Sequence, residues 1–520
     1  MGGRTSDNAS ALAEPSGSGP RRLENNTVVL ANNTVVLALA LVALCTLFLP
    51  NIATADEPAL PPGLAEEEAT PALPEGLGDE TTPSLPEGLG DDTGPALPPG
   101  LAEESAAATD TAEPEKQPKL RPPDWLHGFW EVRGGLRTQD DPAQPRDAIL
   151  GETRLQLKTE KTWNDIVLEG TADFIGDGVL EEGDFDLRRL RLTWRPLDNL
   201  DIRLGRQVLT WGTGDMLFIN DLFPKDWQSF FIGRDVEYLK APSDAVKVGW
   251  FNDIANLELV YTPQFEHDRF ISGERISYWN PLFRNFAGRD SQVHYNAPST
   301  WFEDDEWALR VYRNIGSYQL ALYGYSGYWK SPGGQKLVRP ARGLMQATFP
   351  KLNVYGASLR GMVGKGIANI EIGYYDSRQD PGGDNLFVNN SEFRVLVGYE
   401  REIAKEFTAA VQYYLEHMMD YDAYGNGLLA RYMATRDKDR HVFTLRLTKL
   451  LMNQNLTLSL FTYYSPSDGD AYLRPHAKYK VNDHWTVEAG GNVFMGESDA
   501  SFFGQFRNNT NVYAGMRYAF

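Results

Sequence analysis

Asn-Val-Tyr-Ala-Gly-Met-Arg-Tyr-Ala-Phe, residues 511–520, is the stretch around which the rest of the chain can be interpreted. Every second residue from Val512 to Phe520 is apolar or aromatic, while the alternate positions carry Tyr513, Gly515 and Arg517. Successive side chains of a strand point to opposite faces. The ten residues therefore predict a strand with one apolar face, and the question is whether the preceding chain repeats the pattern.

The same alternation recurs from Trp125 onward, separated by turn residues. In one clear case Ile370, Ile372 and Tyr374 alternate with Glu371 and Gly373. Apolar faces of this kind suit lipid, and the polar faces between them suit a wet interior. We predict eighteen strands, over residues 127–137, 152–160, 165–174, 186–196, 200–208, 245–252, 255–263, 306–314, 317–329, 352–364, 367–377, 391–402, 406–417, 440–450, 455–464, 471–482, 484–494 and 511–520.

The predicted connections are alternately short and long, with both ends of the strand series on the short-turn side. An even-stranded outer-membrane barrel requires this arrangement, and closure removes exposed strand edges. We therefore predict an all-β fold, a transmembrane antiparallel up-and-down β-barrel of about 18 strands (16–18) over residues 125–520. Aromatic residues near the predicted strand ends fit interface girdles: Trp125, Trp130, Trp194, Trp250, Trp307, Trp329, Tyr399, Trp485 and Tyr518.

Composition narrows the class of protein. Only one apolar run, near the N-terminus, approaches the length of about 20 residues that a transmembrane helix needs. The net charge of −21 argues against general nucleic-acid binding. The one cysteine, Cys45, lies inside that apolar run, so a chain without the run has no disulfide and no thiolate metal site.

The first 124 residues divide into two segments. Residues 1–55 predict a signal peptide, because the apolar core ends in Ala53-Thr54-Ala55, which has the spacing of a signal-peptidase site. Residues 56–124 carry Pro-x-Leu-Pro-x-Gly-Leu four times, with acidic spacers between the copies. Proline and repelling carboxylates prevent a packed core, so this segment predicts a disordered periplasmic tail. It is either a solvated spacer or a multivalent ligand for a periplasmic partner.

The terminal strand is similar to the last strand of Gram-negative outer-membrane β-barrels. In that family the motif ending on Phe520 is read by the barrel assembly machinery, so the resemblance implies export to the outer membrane and contact with its lipid. It leaves open whether the barrel is a monomer or a trimer.

The alternate positions of the predicted strands would line the lumen. Several of them are basic, and rows of arginine inside a pore concentrate anions and offer bidentate contacts to carboxylate, phosphate or sulfate groups. The alternative is that they pair with wall glutamates and brace the barrel. The predicted pore-lining, anion-binding residues are Arg189, Arg191, Arg195, Arg203, Arg446, Arg474, Lys478, Lys480 and Arg517.

The connection from Trp211 to Pro242 is too long and too apolar for a simple solvated loop, so we expect it to fold into the lumen as a constriction. Leu204-Gly205-Arg206-Gln207, with Gly212, Asp215, Trp227 and Arg234 after it, resembles the corresponding region of alginate-export and related porin-like barrels. That family implies eighteen strands and a basic pore for an acidic polysaccharide. The residues singled out for the constriction are Trp211, Asp215, Phe218, Asp221, Trp227 and Arg234.

No catalytic, cofactor-binding or metal-ligating set could be assembled from the sequence. We therefore expect a protein that is not an enzyme, with no cofactor and no metal. Two functions remain: an outer-membrane channel for hydrophilic solutes or polymers, with some preference for anions, or a structural barrel with a plugged pore whose tail tethers a periplasmic partner.

Overall fold

The computed structural model describes residue 123 and residues 125–281, 283–339, 344–426 and 436–520. The predicted signal peptide and, apart from residue 123, the predicted tail lie outside the described residues. Within the described part, no helix is long and apolar enough to cross a membrane.

Eighteen strands form one closed antiparallel sheet. In chain order, β1 to β18 are Leu126–Arg137, Ala148–Trp163, Ile166–Asp177, Glu182–Leu197, Leu200–Val208, Pro242–Trp250, Asn256–Thr262, Glu306–Ile315, Tyr318–Tyr328, Lys351–Val363, Gly366–Ser377, Glu392–Ala404, Phe407–Met418, Asp439–Leu451, Leu456–Ser465, Asp470–Lys480, Trp485–Gly496 and Asn511–Ala519. The predicted fold class and strand number are therefore confirmed, and the bounds of β5 match the prediction at both ends.

Each strand pairs with its neighbours in the chain, and the last strand closes the barrel against the first. The β18–β1 register runs from Phe129 opposite Ala519 to Arg137 opposite Asn511. One step further out, the N–H of Gly128 donates to the carbonyl of Phe520 over 3.1 Å, and the N–H of Phe520 donates back over 3.0 Å. Residues 511–520 therefore close the barrel against β1.

The two faces of the strands differ as the alternation predicts. On β11, Ile370 and Ile372 are 46% and 38% exposed on the outer face, while Glu371 between them is 1% exposed and faces inward. Most of the exposed large apolar side chains of the barrel lie on this outer face. An apolar outside around a polar inside is the arrangement of a transmembrane barrel.

The connections confirm the predicted sidedness. Turns such as residues 164–165, 316–317 and 364–365 lie at the end of the barrel that carries both Leu126 and Ala519. The long connections lie at the opposite end. They carry the short helices Trp227–Ile232 and Tyr421–Asn426, the 3-10 helices Val236–Leu239, Arg289–Ser291 and Gly504–Asn509, and the small strands Tyr278–Asn280, Asn285–Ala287, Tyr295–Asn296, Gly334–Arg339 and Leu344–Thr348.

One member of the predicted aromatic girdle lies elsewhere. Trp329 follows the end of β9 and is 7% exposed, with its ring 5.7 Å from that of Tyr375 on the inner face of β11. The prediction was wrong for this residue because β9 ends at Tyr328, so the alternation no longer applies to Trp329.

Candidate functional site

Residues 209–241, between β5 and β6, form what we call the inner loop. Its contacts with inward-facing side chains on strands from opposite parts of the sheet place it inside the barrel. The loop contains the helix Trp227–Ile232, which begins after Asp226 and ends at Gly233 with a φ of 94°. A side chain at Gly233 would be strained at this φ and would collide with the Tyr513 ring.

Glu371 on β11 is the main anchor for the first half of the inner loop. Its carboxylate accepts hydrogen bonds from the backbone N–H of Thr213 and of Asn220, each at 2.8 Å, and from the Asn220 side chain at 2.9 Å. The Thr213 hydroxyl donates a further bond of 3.1 Å. Gly212 passes the same carboxylate with a φ of 83°. The wall thus holds the loop backbone through one buried carboxylate.

Asp215 is fixed to β14 and β13 at once. The guanidinium of Arg446 donates to its carboxylate at 2.6 Å, and the pair is partly exposed, with side-chain exposures of 30% for Arg446 and 24% for Asp215. Gln412 accepts from the backbone N–H of Asp215 and donates to its carbonyl, each at 2.8 Å. Arg446, predicted as a pore-lining residue, therefore meets a residue predicted for the constriction.

Three other predicted constriction residues pack near the start of the loop. The indole N–H of Trp211 donates to Glu258 on β7 at 2.9 Å, and its ring meets Phe223 edge-on at 5.0 Å. Asp221 accepts from the ammonium of Lys225 at 2.9 Å, and that ammonium lies 4.7 Å from the centre of the Phe218 ring. These contacts give this part of the loop a compact structure of its own.

The helix of the inner loop packs through aromatic rings. Phe231 meets Tyr472 of β16 at 5.4 Å and Phe494 of β17 at 5.2 Å, both nearly edge-on. Phe230 is 1% exposed and lies 5.8 Å from Tyr472. Trp227 lies on the same helix, 6.2 Å from Phe231, and its indole N–H donates to Asp268 over 3.3 Å. This packing holds the helix against the wall opposite β7 to β11.

Arginines on β1 and β16 hold the second half of the loop. Arg133 on β1 donates to the carbonyl of Gly233 at 3.0 Å, and Arg474 on β16 donates to that of Arg234 at 2.8 Å. The Arg234 guanidinium in turn binds Glu152 of β2, with an Nε–Oε1 distance of 3.0 Å. Arg474, predicted to face the pore, is 5% exposed because the loop covers it.

Asp235, the next residue of the loop, lies among basic side chains of the barrel wall. Its carboxylate is 3.4 Å from the ammonium of Lys478 and 3.6 Å from the guanidinium of Arg517. Burial alone would raise the pKa of the Asp235 carboxyl, but Lys478, Arg517 and Arg133 outweigh it and hold the pKa well below its usual range. The carboxylate is therefore charged over the whole neutral and mildly acidic range.

A second basic region, which we call the basic wall, lies on β4, β5, β6 and β8 and meets the inner loop at Glu258, the acceptor for Trp211. Its carboxylates are each shared between two cations. Arg189 and Arg191 share Glu169 at 3.1 and 2.6 Å, and Arg203 and Arg195 share Asp201 at 3.1 and 3.9 Å. Lys247 and Arg310 share Glu258 at 2.6 and 3.3 Å.

The nine predicted lumen residues thus lie in different environments. Arg474 and Arg517 are buried or nearly so and hold the inner loop, while the side chains of Arg189 and Arg203 are 30% and 32% exposed. Lys480 lies at the short-turn end beside Asp483, at 3.1 Å. Most of these cations have a carboxylate partner, as the bracing alternative expects.

The sequence pattern identified Glu371 only as a polar residue alternating with Ile370 and Ile372, and it did not single out Glu152. The alternation shows that Glu371 points inward, but two of its four donors are backbone N–H groups, which carry no sequence signal. Among the described residues, no group of three or more His, Cys, Asp or Glu side chains could hold a metal ion.

The sequence matches no protein-family model and no curated protein. Among solved structures, it is similar to OccD3 (OpdP) of Pseudomonas aeruginosa, with 10% identity, a TM-score of 0.45 and coverage of 76% of this chain and 91% of the other. OccAB3 of Acinetobacter baumannii gives 11% identity, a TM-score of 0.45 and coverage of 76% and 99%. The porin of Rhodopseudomonas blastica gives 10%, 0.33, 76% and 99%. Similarity at this level says nothing of what crosses the barrel.

Proposed function

We propose that this chain is an outer-membrane channel through which small hydrophilic solutes diffuse, with a preference for anions. Barrels of 16 to 18 strands are wide enough to enclose an aqueous lumen. The inner loop narrows that lumen, so the solutes that pass should be small. The observation that carries the anion preference is the basic wall, where Asp201 and Glu258 each contact two cations.

The geometry of the basic wall suits transient anion binding. Four of its arginines project from the adjacent strands β4 and β5, and Arg189 and Arg203 stay about one-third exposed. Guanidinium groups bind carboxylate and phosphate oxygens in pairs, and a ring of like charge selects ions by sign. Because Asp201 and Glu258 are each shared by two cations, an entering anion finds positive charge that these carboxylates do not fully neutralise.

The experiment is a reversal-potential measurement in planar bilayers with the full-length protein in a KCl gradient. We expect the wild type to favour chloride. The double variant Arg189→Gln/Arg203→Gln should lower the anion-to-cation permeability ratio by about twofold or more, since two charges are lost from the wall. The control is Arg378→Gln, which removes an exposed arginine at the long-loop end. A cation-selective wild type, or a double variant equal to the control, would refute the anion preference.

A second candidate function has one specific observation in its favour. Four apolar side chains of the inner loop, Ile219, Phe230, Phe231 and Ile232, are at most 4% exposed. A loop packed this closely could close the lumen completely, leaving a structural barrel. That function predicts no current from the wild type in bilayers, and capture of a periplasmic partner by a peptide spanning residues 56–124.

Location and assembly belong to the same proposal. We expect membrane fractionation to recover the protein with the outer membrane, because the outer face of the barrel is apolar. Removal of Phe520 should lower the amount of assembled barrel, since its backbone extends the β18–β1 closure and its ring ends the strand that the assembly machinery is expected to read.

A further inference from the structure

A cavity of about 420 Å³ lies at the long-loop end of the barrel, on the helix of the inner loop. Trp227 and Phe231 of that helix form one side of it. The other sides come from four further connections, which contribute among others Phe270, Phe387, Phe502 and Phe506. This volume lies in the range of pockets that bind small molecules.

The lining of this cavity differs in charge from the rest of the interior. Of the described residues that line it, none is charged. The lumen wall, in contrast, is built largely from ion pairs, such as that of Arg191 with Glu169. An ion entering the cavity would lose hydration without gaining an opposite charge, which is costly. The cavity therefore suits an uncharged molecule.

Two amide side chains on the lining supply polar contacts. The backbone at Gln335 is fixed by donation to the carbonyl of Phe387, and that at Asn389 by donation to Gly333, each at 2.7 Å. Among the described residues, neither side-chain amide has a hydrogen-bond partner. Each amide can both donate and accept. A ligand with a hydroxyl or amide edge would satisfy them.

We infer that this cavity is a binding site for a small, uncharged ring compound that carries a hydroxyl or amide group. The aromatic side chains pack against the face and edges of the ring, and Gln335 and Asn389 bind its polar group. The site is separate from the basic wall, and binding to it does not require that solute crosses the barrel.

The test is calorimetric titration of the full-length protein in detergent with benzamide and with benzoate, which have nearly the same shape but differ in charge. We expect benzamide to bind about tenfold more tightly or better, because the carboxylate must give up hydration. Equal affinities, tighter benzoate binding or no benzamide binding would overturn the inference. Since no current is measured, failure here is distinct from failure of the proposed channel.

Two variants locate the binding. Asn389→Ala should weaken benzamide binding by about threefold to tenfold, the loss expected for one neutral hydrogen bond. Gln335→Lys should strengthen benzoate binding by up to about fivefold, the range of a partly exposed ion pair. The matched control is Gln379→Lys, at an exposed position outside the cavity. Variants that behave like this control would place the binding elsewhere and overturn the inference.

Discussion

Two anchors of the inner loop have opposite polarity: N–H groups near its start donate to a wall carboxylate, and carbonyls near its end accept from wall arginines. Thr213 and Asn220 donate to the carboxylate of Glu371, whereas the carbonyls of Gly233 and Arg234 accept from wall arginines. The first kind of contact depends on the buried carboxylate of Glu371, and the groups that donate to it are uncharged. The second rests on several cations around Asp235, part of which solvent and salt can reach. The two ends should therefore respond differently to mutation, salt and pH.

The largest effect is expected from Glu371→Ala, which removes the acceptor of four hydrogen bonds and leaves buried N–H groups without partners. We expect the barrel with its loop to lose about 3–5 kcal/mol of unfolding free energy. Single-channel conductance should rise and the loop should become cleavable by protease. Glu400→Ala on the neighbouring strand is the control, because Glu400 is exposed. A Glu371→Ala protein with wild-type conductance and wild-type protease resistance would show that the start of the loop is held by other contacts.

A smaller effect is expected from Arg446→Gln, which breaks only the charged contact to Asp215. Gln412 still holds the backbone of that residue through two hydrogen bonds. The loss should be about 1–2 kcal/mol, as for one partly exposed charge-assisted contact. Conductance should rise less than in Glu371→Ala, which bilayer recordings of the two variants would compare directly. A larger rise in conductance than in Glu371→Ala would show that Arg446 holds the loop more strongly than Glu371 does.

At the other end, Asp235→Asn should change selectivity more than conductance. Lys478 and Arg517 lose a shared carboxylate, so the lumen gains positive charge. We expect the anion-to-cation permeability ratio to rise by about twofold at low salt and by less at high salt, because salt screens the exposed part of this region. Reversal potentials at two salt concentrations test this, and a ratio that falls would contradict it.

Mild acid is expected to have the smallest effect on the stability that the ion pairs of Asp235 give to the loop. The pKa of Asp235 is depressed in the folded protein, so its ion pairs stabilise the loop at every pH above the unfolded value of about 3.9. They are lost only when the pH falls through the lower folded value. The difference in unfolding free energy between wild type and Asp235→Asn should therefore stay constant from pH 7 to about pH 4.5. A difference that disappears near pH 5 would show that Asp235 is protonated in that range.

The sequence predicts the barrel well because alternation is a local property. Ile370, Glu371 and Ile372 reveal their faces without reference to any other strand, and lipid on one side makes the contrast strong. Trp329 shows the limit, since one residue past the strand end the alternation loses its meaning.

The site was less predictable because its contacts join residues that are distant in the chain. Arg446 and Asp215 were both singled out, yet nothing in the sequence pairs them across 231 positions. Likewise, Arg474 has the alternation of a pore-lining residue, and only the packing of Phe230 and the carbonyl of Arg234 removes it from the lumen.

The helix of the inner loop also has a consequence for the order in which the barrel folds and closes. It contacts Tyr472 and Phe494 on late strands, and Gly233 just after it lies against Tyr513 on the last strand, although the loop is synthesised long before them. Once β18 pairs with β1, no seam remains through which a packed helix could enter sideways. We therefore expect the loop to be in place before closure, so that the later strands assemble around it. The folding rate should then depend on the aromatic side chains of the loop.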